Sequence, residues 1–142
     1  MNTKTKLIFL VASILMASSF LTAQAQVAFP EIIINLSYPQ YQALKMDRGY
    51  KYIDGGMHGI ILYRADENTY VAFERACPHH PYDENATVDI DMSGLYMLDY
   101  ACKSNFSFPD GSPTAGPARR AMWMYRVTIV GTTLTISDEI IN

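Results

Sequence analysis

The chain has 142 residues, a length suited to one domain, with 11 basic against 14 acidic side chains and a net charge of −3. An acidic balance without a run of Lys and Arg excludes a nucleic-acid binder, because phosphate contacts need clustered cations.

Residues 1–6 hold Lys4 and Lys6 and no acid, and residues 7–21 read L-I-F-L-V-A-S-I-L-M-A-S-S-F-L. Ala23-Gln24-Ala25 then forms an A-x-A cleavage site. This is the layout of a secretory signal peptide, so residues 1–25 are expected to direct export and residues 26–142 to form a single domain. The apolar run falls short of the ~20 residues a membrane-spanning helix needs, so no span is expected after cleavage; an uncleaved anchor is the alternative. No cysteine follows the run to accept a lipid. Loss of Lys4 and Lys6 leaves 9 basic residues against 14 acidic ones, a net charge of −5. The expected location is periplasmic or extracellular. There a pair of thiols tends to be oxidised, and Cys77 and Cys102 are the only cysteines of the chain.

Strand signals dominate the remainder. Residues 31–36 (E-I-I-I-N-L) are rich in β-branched side chains, and residues 37–44 (S-Y-P-Q-Y-Q-A-L) predict one short helix with Ser37 as its cap. Residues 50–53 alternate and end in the turn Asp54-Gly55-Gly56. Three hairpins follow: 59–64 with 70–74, 86–90 with 95–98 around D-M-S-G, and 124–130 with 133–137 around Gly131-Thr132. Short strands at this spacing predict an all-β sandwich or barrel. Residues 107–118 (S-F-P-D-G-S-P-T-A-G-P-A) hold turn residues throughout and predict a loop. Cys77, His79 and His80 follow one strand of a hairpin, and Cys102 follows a strand of the next, so two loops leaving the same end can clamp a small object.

Cys77-Pro78-His79 is a C-x-H sequence, Ser104-Asn105-Phe106 reads S-x-F, and Gly111 follows. Gly116-Pro117-Ala118 is a G-P-A loop, and Tyr125-Arg126-Val127 leads to Gly131 and Leu134-Thr135-Ile136. In this order, over roughly residues 51–137, the chain resembles the Rieske family. The resemblance implies an all-β fold of short antiparallel strands with a two-loop cluster-binding subdomain. In that family C-x-H and C-x-x-H loops hold a [2Fe–2S] cluster, thiolates on one iron and imidazoles on the other.

The second loop departs from the pattern. Anchoring on Ser104 and Phe106 puts Cys102 at the second histidine position and Asp99 at the second cysteine position. Anchoring on Cys102 instead puts Asn105 at the histidine position but displaces Phe106, Gly111 and Gly116. In either register the two-cysteine, two-histidine set is broken. The resemblance places Cys77 and Cys102 on two loops that grip one compact object, so their sulfurs can pair. A bond between them would close a loop of 26 residues, worth about 3.5 kcal/mol by chain entropy. A single Zn²⁺ on Cys77, His79, Asp99 and Cys102 is a third arrangement, without the spacing of a standard zinc module.

Other residues have plainer readings. His80 faces solvent and His58 belongs to a turn; Met122 and Met124 fill the core rather than bind copper. Arg119 and Arg120 are a solvated pair or guide an acidic partner to the loop tip. Asp89-x-Asp91-x-x-Gly94 is a fragment of a calcium loop, and Asn35, Asn85 and Asn105 begin N-x-[ST] sequons. No catalytic set is present in the sequence. The expected protein is therefore an exported Rieske-like domain without a cluster, stapled by Cys77–Cys102, with a binding or structural role toward an envelope or redox protein. The alternative is a [2Fe–2S] electron-transfer protein using Cys77 and His79 with Asp99 and Cys102 as unusual ligands.

Overall fold

The computed structural model describes residues 28–142. The expected signal peptide lies outside them. Among the described residues no helix is long and apolar enough to cross a membrane.

The fold is all-β and antiparallel. Ten strands run in chain order: β1 (Ile32–Asn35), β2 (Tyr50–Ile53), β3 (Ile60–Asp66), β4 (Thr69–Glu74), β5 (Val88–Ile90), β6 (Met97–Asp99), β7 (Asn105–Phe106), β8 (Pro113–Ala115), β9 (Met124–Val130) and β10 (Thr133–Ile140). A six-stranded sheet has the order β1-β10-β9-β4-β3-β2, and a four-stranded sheet has the order β5-β6-β7-β8. The smaller sheet is inserted in the chain between β4 and β9, with one loop leading into it from β4 and another joining β6 to β7.

The apolar run Ile60-Ile61-Leu62-Tyr63 shows why there are two cores. Successive strand side chains point to opposite faces. Ile60 and Leu62 enter one buried cluster with Ile34, Leu44, Leu134 and Ile136, which β1, β3, β10 and the short helix enclose. Ile61 and Tyr63 enter a second cluster with Phe73, Val88, Met97 and Phe106, packed between the two sheets. β3 is thus covered on both faces and is apolar at every position from 60 to 63. Each fully buried Ile or Leu contributes roughly 1.5–3 kcal/mol.

Three expectations change in detail. The segment 107–118 is not loop throughout, since Pro113–Ala115 pairs with β7 as an edge strand. Pro113 is tolerated because an edge strand can spare an N–H. The helix is a 3₁₀ helix at Pro39–Lys45 with Tyr38 at its N-cap, and no side chain caps it. Ser37 instead donates its N–H to Asn35 Oδ1 at 2.9 Å. β5 begins at Val88 rather than 86, because Ala86 closes the turn that carries the first cysteine loop.

Candidate functional site

The first loop starts where β4 leaves the sheet. Glu74 ends the strand with its carboxylate fully buried. Oε1 accepts the N–H groups of Ala76 (2.8 Å) and His58 (3.0 Å). Oε2 accepts Met57 N–H and the Tyr125 hydroxyl, both at 2.7 Å. One buried carboxylate thus accepts four hydrogen bonds. One of them, from the Ala76 N–H, ties the residue directly ahead of Cys77 to the carboxylate. The loop then folds as consecutive turns, with Cys77 N–H on Ala86 O (3.0 Å), His80 N–H on Cys77 O (3.0 Å) and Ala86 N–H on Asp83 O (2.9 Å). Cys77 is directed into the core between the sheets and is fully buried.

The second loop joins β6 to β7. Lys103 N–H donates to Asp99 O (2.8 Å) and Asp99 N–H to Ser104 O (3.0 Å), while Lys103 takes a φ of +62°. Asp99 Oδ1 accepts Ala101 N–H at 2.8 Å, which fixes the carboxylate at the base of the turn. Ser104, also fully buried, accepts Ala118 N–H on Oγ at 3.0 Å and so ties the G-P-A loop down. Gly116 makes that approach feasible: a Cβ there would lie 2.5 Å from Ser104 Cα and from Lys103 O, and its φ is +85°.

These two loops bring three side chains together. Cys77 Sγ and Cys102 Sγ are 3.7 Å apart and not bonded. Cys102 donates its S–H to Asp99 Oδ2 at 2.9 Å, and the same sulfur lies 3.1 Å from Ser104 Oγ. One S–H serves one acceptor at a time. With the Cys102 hydrogen on Asp99, the serine keeps its own hydrogen to offer to the sulfur. The sulfurs of Cys77 and Cys102 and a carboxylate oxygen of Asp99 all lie within 4.8 Å of one another.

Burial, with the Asp99 carboxylate as second cause, pushes the Cys77 thiol up to about 12. For Asp99, burial works to raise the pKa, but the bonds from Cys102, Cys77 and the Ala101 and Cys102 N–H groups outweigh it and hold it below the usual aspartate value. At neutral pH Cys77 is therefore a protonated thiol close to an ionised Asp99 carboxylate.

His79 does not join this group. Its ring is exposed and sits edge-on to His80, centroids 4.0 Å apart. Asn105 lies in β7, paired with Leu98 and Ala115, on the strand face opposite the buried Phe106. The donors in mutual contact are therefore two thiols and a carboxylate, and the second loop brings no imidazole. The standard Rieske donor set does not fit these residues. A four-donor ion site that includes His79 is likewise not formed among the described residues.

The remaining candidates disperse. His58 Nδ1 lies 3.4 Å from Thr87 Oγ1, and Met122 and Met124 pack in the core between the sheets. Asp89 pairs with Arg75, Asp91 caps its own turn through Ser93 N–H, and Asp83 does the same for Asn85 N–H. Arg120 donates to Pro78 O at 3.2 Å, linking the segment after the G-P-A loop to the first cysteine loop.

Sequence reasoning missed Glu74 and Tyr125, which position the first loop. Glu74 follows Ala72-Phe73, where both faces of the strand are buried, so no polar–apolar alternation marks it. Ser104 was read only as part of S-x-F, and its grip on the G-P-A loop depends on a residue 14 positions away.

No protein-family model matches the chain, and no curated protein matches it. Among solved structures it is similar to one chain from the complex of reduced oxygenase and oxidized ferredoxin in carbazole 1,9a-dioxygenase, at 16% identity and a TM-score of 0.49, covering 68% of this chain and 87% of that one. The likeness is distant, and no residue role passes across it.

Proposed function

We propose that this chain is an exported, non-catalytic domain of Rieske-like fold that has no iron–sulfur cluster and keeps its two loops together through Cys77 and Cys102. The observation that carries this is the 3.7 Å contact between those sulfurs, one from each loop, beside a carboxylate where the family has a ligand. In an oxidising compartment the pair closes to a disulfide of about 2.05 Å. The bond would staple the loops that a cluster grips in the family. The domain then serves a binding or structural role toward an envelope protein.

The second reading is a [2Fe–2S] electron-transfer protein with unusual ligands. The convergence of Cys77, Asp99 and Cys102, with His79 in the same loop as Cys77, favours it. Non-denaturing mass spectrometry of the chain, isolated without reductant, separates the two. A colourless protein lighter than the reduced chain by two hydrogens supports the disulfide. A coloured protein heavier by two irons and two sulfides overturns it in favour of the cluster.

A further inference from the structure

We propose that, with both cysteines reduced, Cys77, Cys102 and Asp99 form a site for one thiophilic divalent cation such as Zn²⁺, with solvent in the fourth position. This goes beyond the disulfide clasp: it assigns the reduced chain a ligand, and oxidation would remove it.

The spacing of the donors carries the inference. In a tetrahedral site with metal–sulfur bonds of about 2.3 Å, the two sulfurs stand about 3.8 Å apart. The two Sγ atoms are 3.7 Å apart already. With a metal–oxygen bond of about 2.0 Å, the sulfur–oxygen edge is about 3.5 Å. Cys102 Sγ and Asp99 Oδ2 are 2.9 Å apart, so this edge has to open. The carboxylate can turn to do so, because Oδ1, not Oδ2, carries the Ala101 N–H. Two sulfur donors select a soft or borderline cation over calcium or magnesium.

The surroundings suit a metal-bound thiolate. Ser104 Oγ, 3.1 Å from Cys102 Sγ, accepts Ala118 N–H on one lone pair, and its hydroxyl can donate to a metal-bound thiolate, which has no hydrogen of its own to give. Partners of this kind orient and tune metal ligands. Cys102 is only half-buried, whereas Cys77 and Asp99 are fully buried, so Cys102 is the donor through which solvent reaches the group. The balance is simple: the cation enters, two S–H bonds break, two metal–sulfur bonds form, and two protons leave to solvent. No electron moves.

The test is Co²⁺ titration of the chain as isolated, fully reduced and kept anaerobic, after thiol counting and iron analysis. The expected result is one saturating equivalent with sulfur-to-cobalt charge-transfer absorption in the near ultraviolet, bleached by Zn²⁺. Asp99→Asn should weaken binding by about tenfold or more, and Cys102→Ser should abolish the charge-transfer pattern. The oxidised wild-type chain, which needs no mutation to fold, should show no band. Absence of a saturable band in the reduced wild type overturns the proposal, as does an unchanged band in Cys102→Ser. Iron and sulfide in the isolated protein would sink the cluster-free reading instead, and the stripped, reduced chain would still answer the cobalt question.

Discussion

The Tyr125 hydroxyl on β9 donates to the buried Glu74 carboxylate on β4 across 2.7 Å, and the same carboxylate accepts the N–H of Ala76 next to Cys77. The cysteine loop is thus set by a charge at the end of a core strand. Replacing Glu74 with Gln keeps the shape but turns an NH₂ toward N–H donors. A loss of about 2–4 kcal/mol in urea unfolding is expected, since bonds to a buried charge are worth about 1.5–3 kcal/mol each. Tyr125→Phe, which removes one donor of four, should cost less. Equal losses for the two variants would contradict this account.

Oxidation of the thiol pair should raise stability. Cys77 and Cys102 are separated by 25 positions, for which chain entropy gives about 3.5 kcal/mol. Denaturant unfolding of the oxidised and reduced forms measures the difference directly. A reduced form as stable as the oxidised one would mean that native strain cancels the entropic gain.

Alkaline pH should separate the same two forms. The Cys77 pKa rises from 9.0 to about 12 on folding, mainly through burial. The folded state holds the proton more tightly than the unfolded one. The stabilisation is therefore fully present below about pH 9 and lost as the pH climbs toward 12. Tyr125 is also raised, by burial and by Glu74, but it titrates in both forms. The pH dependence of the difference between reduced and oxidised unfolding curves removes the tyrosine and leaves that of the thiol pair. Asp99→Asn should shrink that difference only in part, because burial is the larger cause.

Gly116→Ala tests the cover of the site. The new methyl would lie 2.5 Å from Ser104 Cα and Lys103 O, both backbone, at a φ of +85°. Neither the backbone nor the dihedral can yield cheaply, and a cost above about 1 kcal/mol is expected. The second loop should then shift away from Cys77, which slower disulfide formation would report. Unchanged stability and an unchanged oxidation rate would show that the G-P-A loop does not hold Ser104 in solution.

Most of the strands were legible because their signals are local. Tyr50–Ile53 and Met124–Val130 have the bounds read from the sequence, fixed by alternation and by the Gly131 turn. β8 was hidden because Pro113–Ala115 lies among turn residues and becomes a strand only by pairing with β7. The helix was foreseen, but not its 3₁₀ geometry or its lack of a side-chain cap.

For the site, the sequence by itself determined which residues were candidates and that, in either register, the second loop lacks the cysteine-and-histidine pair the resemblance calls for. Ligand chemistry follows from residue type, so no folding was needed to see it. Only the tertiary structure decided that Asp99 and Cys102 meet Cys77 while His79 turns outward beside His80 and Asn105 lies in β7. That outcome depends on the depth at which each loop is anchored. Glu74 holds one loop, and Ser104 with the G-P-A loop holds the other, through bonds spanning from 2 to 51 positions of sequence. The longer of these contacts leave no periodic signal in the chain and form only when segments distant in sequence are brought together, β9 beside β4 and the G-P-A loop beside Ser104.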